Sequence, residues 1–525
     1  MRMATYASRP AWELRARSLT GARIAAPLGL GVLLAISVLL RTRQLDVGFW
    51  IDEGLSVGIA DRPLADIPGV LRQDGSPPLY YLLLNLWMEL LGRTEADVHA
   101  LSVLLAVLCV PVAYWGGKLL FDTRTAWIAA LLAAVNPFMT QYAQEGRMYS
   151  LLTLLGLTSL ICWLHAFTSD PPADGGVRRA PAIGFAVAFA AMLYTHNWAL
   201  FFGAASGLAW LWLLWRADGA ERRRLLRTAL VAYGGAILLY TPWLPNTLYQ
   251  AAHTGAPWAN VPTLGVLVSV PAKLLGKEAE LAVALVAGSG LVALWRGRGA
   301  PARAVAALLV IAVGTIVLAW LASQLSPAWA TRYLAAGVGP FVLLAAAGFA
   351  AAGRLGLVGL AVVAVLWAID GAPAAKSNVR DVTEAIAPSL RPGDLVVATQ
   401  PEQVPALHYY LPPGLRYATL TGAVADVGVA DWRDGVERLK RTSARRGLGP
   451  LLDTVPPGGR VVLVVPQVYS LSQWSAPWTS IVRERSEEWL AYIGADARFS
   501  RTDVEPPLPE PRPPNPVRAE VFVRR

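Results

Sequence analysis

Two adjacent carboxylates, Asp52 and Glu53, follow the first apolar segment of the chain. Glu145 and Arg147 stand just before another apolar segment, where an ionisable side chain close to lipid usually has a function. A carboxylate beside a cation stays ionised and can accept a proton as a general base. Two local alternatives stay open. For the first pair, the alternative to a function is that Asp52 caps a helix that begins at Glu53. For Glu145 and Arg147, it is that they form a simple ion pair.

Cations and hydrogen-bonding groups recur at the ends of later apolar segments. These residues are His196, Lys273, Lys277, Arg332 and Tyr333. The planar guanidinium of arginine can donate two hydrogen bonds to a phosphate. Together with the carboxylates, these groups favour group transfer from a phosphate-linked donor. A single histidine at a membrane surface is more often a hydrogen-bonding group than a metal ligand.

The composition excludes an ordinary soluble enzyme. Of the 525 residues, 55% are hydrophobic and 16% are charged, whereas a soluble domain carries about 25% charged residues. Twelve apolar runs precede residue 371. The first run, 24–40, is followed by Arg41 and Arg43 rather than by a small-residue cleavage site, so we expect a retained span.

The positions of the basic residues predict how the chain crosses the membrane. Short loops rich in Lys and Arg face the cytoplasm. All basic loops fall on that side if the run 78–92 lies in the interface instead of crossing. We therefore predict a polytopic α-helical membrane protein with about eleven transmembrane helices and a cytoplasmic N-terminus. The net charge of +10 is then mainly loop charge, and no nucleic-acid partner is expected.

After residue 370 the pattern changes to short helices and strands separated by turn residues. We expect helices at 381–390 and 481–492, strands at 394–399, 460–466 and 519–523, and an extended proline-rich tail at 506–516. The chain thus divides into a transmembrane domain, 1–370, and a small extracytoplasmic α/β domain, 371–525.

Several motifs occur in the order found in a known superfamily. They are Trp50-Ile51-Asp52-Glu53, Pro77-Pro78-Leu79-Tyr80-Tyr81, Asn136-Pro137-Phe138, Gln144-Glu145-Gly146-Arg147-Met148-Tyr149, Thr195-His196, Tyr240-Thr241-Pro242-Trp243-Leu244-Pro245 and Arg332-Tyr333. Over residues 20–370 this order resembles the GT-C superfamily of membrane glycosyltransferases. It is most similar to the glycosyltransferase family 39 type, which is related to protein O-mannosyltransferases and to lipid A aminoarabinose transferases.

The resemblance implies an inverting enzyme that moves a sugar from a polyprenyl monophosphate at the outer face of a bacterial plasma membrane. It implies interfacial helices in the first outer loop, with Asp52 and Glu53 as the catalytic carboxylates. The residues implied in binding the donor phosphate or substrate are Glu145, Arg147, Tyr149, His196, Lys273, Arg332 and Tyr333. A divalent metal held by Asp52, Glu53, Glu145 or His196 stays an open alternative.

The chain also departs from both subfamilies. Ser76-Pro77-Pro78 stands where O-mannosyltransferases usually have His-Pro-Pro and aminoarabinose transferases have a lysine before the prolines. The expected sugar is mannose or a pentose such as arabinose, and the acceptor is a glycan, lipid or protein of the cell envelope. A transporter or flippase of polyprenyl-linked sugars and a structural subunit are the alternatives, although a transporter predicts charges in mid-span.

Overall fold

The computed structural model describes residues 11–172, 175–369, 375–502 and 512–525. Helices dominate the chain up to residue 369, and a mixed sheet forms after it. An α-helix satisfies its backbone hydrogen bonds internally, which makes apolar helices compatible with lipid. The predicted domain boundary at residue 370 and the part of the predicted tail at 506–511 lie outside the described residues.

Within the described residues, the helical part contains α1 to α20. Their bounds are α1 Ala11–Arg41, α2 Ile51–Ala60, α3 Ile67–Asp74, α4 Leu79–Leu91, α5 Glu95–Leu120, α6 Thr123–Val135, α7 Pro137–Ala143, α8 Tyr149–Phe167, α9 Arg179–Leu193, α10 Ala199–Arg216, α11 Gly219–Ala229, α12 Gly235–Tyr240, α13 Leu244–His253, α14 Leu264–Val268, α15 Val270–Leu275, α16 Ala279–Ala282, α17 Gly288–Arg296, α18 Ala300–Leu325, α19 Val338–Ala351 and α20 Gly353–Ile369. Single π-helical turns join α11 to α12 and α16 to α17.

Five helices in the described ranges are long and apolar enough to cross a membrane, and the bent pair Gly219–Tyr240 and Leu244–His253 is a sixth if it forms one span. Several shorter apolar helices accompany them. One is α4, whose 13 residues fall short of the roughly 20 that a full span needs. The chain is therefore a multi-pass membrane protein, while the number of eleven crossings stays a prediction.

Helices α2 to α4 form the long loop after α1. Helix α4 buries Tyr80 and Tyr81 and exposes Leu86 and Leu90, as expected of a helix lying in the interface. Helix α3 ends at Gly75, whose φ of 95° lies in the left-handed region that favours glycine. This turn brings Ser76-Pro77-Pro78 back towards the helical bundle.

The C-terminal domain is a six-stranded sheet with the strand order β3-β2-β1-β4-β6-β5. Strands β2, β1 and β4 are parallel, and β3, β6 and β5 pair antiparallel at the two sides. The strands are β1 Leu395–Ala398, β2 Arg416–Thr419, β3 Gly422–Ala423, β4 Arg460–Pro466, β5 Phe499–Thr502 and β6 Val517–Arg524, and the helices are α21 Val379–Ile386, α22 Val404–Tyr410, α23 Gly435–Lys440, α24 Ala444–Asp453 and α25 Pro477–Gly494.

Side chains of the central strands alternate between two apolar clusters, as the period of two in a strand requires. Val397 and Leu463 pack towards α24 and α25, whereas Val396 and Val462 pack towards α21 and α22. Both faces of the sheet are covered, which explains why β1 and β4 read as continuous apolar runs. The three predicted strands are found at the positions of β1, β4 and β6.

The sheet domain packs directly on α2. A Cβ on Gly54 would lie 2.7 Å from the backbone nitrogen of Ala406, so the two backbones approach as closely as glycine permits. Tyr410 joins the domains as well, since its hydroxyl accepts from the amide of Phe49 at 2.7 Å and donates to Glu95 Oε1 at 2.8 Å. These contacts hold the start of α2 under the sheet domain.

Glu402 is a buried carboxyl close to this contact. It lies in the short 3₁₀ helix Pro401–Gln403, which packs against α2, and Trp478 Nε1 donates to its Oε1 at 3.1 Å. Burial raises the pKa of Glu402 to about 7. The folded chain therefore keeps a proton on this carboxyl that an unfolded chain releases near pH 4.5.

A carboxyl whose pKa rises on folding makes the folded state less stable as the pH rises from about 4.5 to 7. Glu402→Gln keeps an acceptor for Trp478 and removes this effect, which is worth about 3 kcal/mol above pH 7. We expect the Tm of the full-length variant in detergent to exceed that of the wild type at pH 8 and to match it at pH 4.5. Glu437→Gln, at an exposed carboxylate, is the control, and a Tm difference that does not change with pH contradicts the prediction.

Candidate functional site

A cavity of about 300 Å³ brings together residues from distant parts of the sequence. We call it the Asp52 cavity. Its polar lining residues include Asp52, Asp74, Arg147, His196, Arg332 and Tyr333. Trp432 of the sheet domain also lines it, so the cavity lies where the helical part meets the sheet domain.

Asp52 lies in the first turn of α2, where the helix dipole favours a negative charge. Its Oδ2 lies 3.3 Å from Nη2 of Arg332, and the two side chains are 16% and 22% exposed. Helix α2 begins at Ile51, so Asp52 is not the residue that caps it. Its carboxylate is instead paired with a cation and reachable from the cavity.

Arg147 is held by three acceptors from the first loop. Its Nη1 donates to the backbone oxygen of Asp52 at 3.0 Å, to Ser56 Oγ at 3.0 Å and to Tyr81 Oη at 3.3 Å. Its Nε is buried and has no hydrogen-bond partner. The guanidinium thus has a fixed orientation, and its buried Nε is a donor without a partner among the described residues.

Glu53 is buried and points away from the cavity that Asp52 lines. Its Oε1 accepts from the amide of Gly146 at 2.8 Å and lies 2.8 Å from His99 Nε2, and its Oε2 accepts from the amide of Trp50 at 3.2 Å. Burial alone raises the pKa of a carboxyl, but His99 and the Gly146 amide hold the pKa of Glu53 below its ordinary value. Glu53 is therefore an ionised group that connects two loops.

Glu145 forms an ion pair with Lys376, a residue that follows the last helix of the membrane part. Burial raises the pKa of Glu145, and Lys376 opposes that rise. The Lys376 ammonium also lies 4.8 Å from the centre of the Trp50 ring and 5.5 Å from that of Tyr142. Glu145 does not line the Asp52 cavity, but it neutralises the cation that lies behind Trp50.

His196 lies in the turn between α9 and α10 and lines the cavity. The amide of Trp198 donates to its Nδ1 at 3.1 Å, so the neutral ring carries its proton on Nε2. Burial, Arg147 and Arg332 lower the pKa of His196 to about 3. His196 is therefore a neutral hydrogen-bond donor rather than a cation or a base.

Aromatic rings surround the Arg332 guanidinium, whose carbon lies 5.4 Å from the centre of the Trp50 ring, 5.0 Å from that of Trp258 and 5.4 Å from that of Tyr333. Such contacts favour a cation and limit its motion. Tyr149 is fully buried next to this group, with its hydroxyl unpaired and its ring centre 6.3 Å from that of Tyr333.

Lys273 is the predicted residue that lines a different cavity of the helical part. It lies at the end of the short helix α15 and lines a second cavity of about 810 Å³, together with Lys277 and Arg43. The lining residues of the two cavities do not overlap. Asp52, Arg147, His196, Arg332 and Tyr333 thus come together, with Glu53, Glu145 and Tyr149 behind them and Lys273 apart.

The suggested metal ligands do not form a metal site. In the ranges that the structure describes, no three His, Cys, Asp or Glu side chains come together as metal ligands do. Asp52 is paired with Arg332, Glu53 with His99 and Glu145 with Lys376. A metal would have to displace a cation at each carboxylate, so this donor set does not fit one.

Several residues of the site were not found from the sequence. Asp74 lines the cavity. It precedes Ser76-Pro77-Pro78 in the sequence, and its position beside that motif is the sequence feature that could have marked it as a site residue. His99 and Lys376 bind the two buried glutamates and carry no local signal, because their partners are distant in sequence. Trp258, which stacks on Arg332, lies in a loop without a recognisable pattern.

The arrangement can bind an anion and remove a proton at neighbouring points. Arg147 and Arg332 supply fixed positive charge, and His196 supplies a neutral donor. A phosphate that binds Arg332 leaves the Asp52 carboxylate free to accept a proton. The cavity therefore suits a reaction in which a phosphate group leaves as a hydroxyl group attacks.

Comparison with known proteins shows which proteins the chain resembles in fold and in one segment of its sequence. Residues 75–249 match the family model described as dolichyl-phosphate-mannose-protein mannosyltransferase. No curated protein sequence matches the chain. The crystal structure of ArnT from Cupriavidus metallidurans in the apo state is similar in fold, with 13% identity and a TM-score of 0.60 over 96% of this chain and 98% of that chain.

Two further structures contain lipid phosphates. ArnT from Cupriavidus metallidurans bound to undecaprenyl phosphate has 14% identity and a TM-score of 0.60, over 95% of this chain and 97% of that chain. The oligosaccharyltransferase AglB from Archaeoglobus fulgidus, in complex with an inhibitory peptide and a dolichol-phosphate, has 11% identity and a TM-score of 0.54, over 83% and 69%. At these identities the likeness is one of fold.

The predicted fold class, a helical membrane protein with a small C-terminal sheet domain, is confirmed by the structure and by its similarity in fold to ArnT. The family-model match covers the segment that carries Ser76-Pro77-Pro78, Arg147 and His196. The chain thus has a fold similar to that of ArnT, and residues 75–249 carry a segment similar to the dolichyl-phosphate-mannose-protein mannosyltransferase family.

Proposed function

We propose that this protein transfers a sugar from a polyprenyl-phosphate donor to a hydroxyl group of a cell-envelope acceptor. The observation that carries the proposal is the pairing of Asp52 with Arg332 in a cavity that also contains Arg147 and His196. A base and an anion-binding group side by side are what this reaction needs. The lipid phosphates in the ArnT and AglB structures support the choice of donor.

The donor phosphate is proposed to bind between Arg332 and Arg147, with His196 Nε2 as a neutral third donor. Arg332 is positioned by its aromatic neighbours, and Arg147 by its three acceptors. Fixed donors stabilise developing negative charge without having to reorganise during the reaction. Tyr333 lines the wall beside the phosphate, and Tyr149 packs behind it.

The transfer is proposed to be a single displacement. The acceptor oxygen attacks the anomeric carbon while the bond from that carbon to the phosphate oxygen breaks, which inverts the configuration. Polyprenyl phosphate leaves with the electron pair, and Asp52 takes the proton of the acceptor hydroxyl. Glu53 and Glu145 act indirectly, since each is paired with a cation outside the Asp52 cavity.

The finer assignments complete the proposal. The sugar is mannose or a pentose such as arabinose, and the acceptor is a glycan, a lipid or a protein of the envelope. Residues 1–370 form the transferase domain, and residues 371–525 form a domain on the outer face of a bacterial plasma membrane that covers α2. The N-terminus then lies in the cytoplasm, as the basic loops favour.

Asp52→Asn removes the base while it keeps the shape of the side chain. We expect kcat for sugar transfer to fall at least about 100-fold, measured with the full-length protein in lipid and a panel of polyprenyl-phosphate sugars. Asp61→Asn is the control, because Asp61 follows the same helix and its side chain is 42% exposed. Full activity of Asp52→Asn contradicts the mechanism. If the wild-type protein moves the donor across vesicle membranes without transferring its sugar, the result favours a transporter.

Glu53→Gln tests whether Glu53 is a structural or a catalytic carboxylate. The amide cannot neutralise the buried imidazolium of His99, whose two ring nitrogens face Glu53 and the carbonyl of Leu45. Loss of one partner of a buried ion pair costs about 3–5 kcal/mol. We expect a lower Tm in detergent, partly restored by Glu53→Gln/His99→Gln. Glu89→Gln, at an exposed carboxylate of α4, should leave the Tm unchanged. An unchanged Tm with a large loss of kcat would instead assign Glu53 a direct part in the chemistry.

A further inference from the structure

The second cavity, which we call the Lys273 cavity, has no part in the proposed transfer. At about 810 Å³ it is larger than the Asp52 cavity. It lies between the end of α1, helix α7, helices α14 to α16 and the end of α20. A smaller cavity, lined by Glu145 and Lys376, shares the lining residue Gln141 with it.

Three cations line the Lys273 cavity, and they are Arg43, Lys273 and Lys277. All three are exposed. Within the described ranges, none of their side chains makes a hydrogen bond or an ion pair. Glu280 is the acidic residue in the lining. The cavity thus has an excess of positive charge that its own described residues do not neutralise.

Apolar side chains form the remaining wall of the cavity. They are Leu40, Val135, Pro137, Phe138, Val268, Ala272 and Trp367. Val268 is 70% exposed and Leu264, one turn earlier on α14, is 63% exposed. Both α14–α15 and the second half of α1 are short apolar helices. The cavity therefore opens onto a surface that suits acyl chains.

This combination is typical of a site for an anionic amphiphile. Lys and Arg at a membrane surface attract anionic lipids, and basic pockets between helices bind their headgroups. A free phosphate would use the cations and have no need of the apolar wall. Because the wall and the cations are adjacent, one molecule with a phosphate and two acyl chains can use both.

We propose that the Lys273 cavity binds the phosphate-bearing headgroup of a membrane phospholipid, with Lys273, Lys277 and Arg43 around the phosphate. The acyl chains then lie along α1 and α14–α15. This site is separate from the Asp52 cavity, and the inference does not depend on the proposed transfer reaction.

The test is lipid retention by the full-length protein, measured by native mass spectrometry with phosphatidylglycerol or phosphatidylcholine as the probe. Two charges removed by Lys273→Gln/Lys277→Gln should weaken phosphatidylglycerol binding by up to about 30-fold and leave phosphatidylcholine unaffected. Arg222→Gln/Arg223→Gln removes two exposed charges on α11, outside both cavities, and should bind like the wild type. Lys273→Arg/Lys277→Arg should also retain binding.

The same measurement can overturn the proposal. Equal loss in the two glutamine variants means that net charge, not this cavity, attracts the lipid. Equal retention of phosphatidylglycerol and phosphatidylcholine by the wild type removes the role of the anionic headgroup. Displacement of phosphatidylglycerol by an equal concentration of inorganic phosphate assigns the cavity to free phosphate. Sugar transfer is not the readout, so the result is independent of the proposed enzyme activity.

Discussion

The buried carboxylate of Glu53 connects the two loops from which the site is built. A buried charge is tolerated only when hydrogen bonds and an opposite charge compensate for lost hydration, and Glu53 has the amides of Trp50 and Gly146 and the imidazole of His99. Asp52 precedes Glu53 in the chain and Arg147 follows Gly146. The hydrogen bond between Glu53 and the Gly146 amide therefore fixes the separation between Asp52, the proposed base, and Arg147, a proposed phosphate ligand.

The charges of the site are arranged for a ligand that brings its own negative charge. Arg147 and Arg332 stay charged, while His196 is kept neutral by burial and by those two arginines. Asp52 compensates Arg332 in the free protein, and a phosphate can take over that compensation. Ligand binding would thus release the carboxylate at the moment when a base is needed.

The sequence was sufficient for features that depend on local pattern. Apolar runs bounded by turn residues located β1, β4 and β6. The short aromatic run at 78–92 predicted an interfacial helix, and the structure has the 13-residue helix α4 at that position. Strand β2, with the sequence Arg416-Tyr417-Ala418-Thr419, has no continuous apolar run, and β3 has only two residues. Motif order indicated Asp52, Arg147, His196 and Arg332, which do meet. The burial of Glu53 and the position of Lys273 outside the Asp52 cavity depend on tertiary packing. The local sequence pattern around these residues does not reveal that packing.

The ion pair between Glu145 and Lys376 has a consequence for biosynthesis. The two residues are 231 positions apart, and ribosomes add about 5–20 residues per second. On that scale the carboxylate waits about 10 to 50 seconds for its lysine. During this time every membrane helix before Lys376 can insert, yet the glutamate has no counter-ion from the later part of the chain. This ion pair therefore forms only after the helices that precede Lys376 have been made.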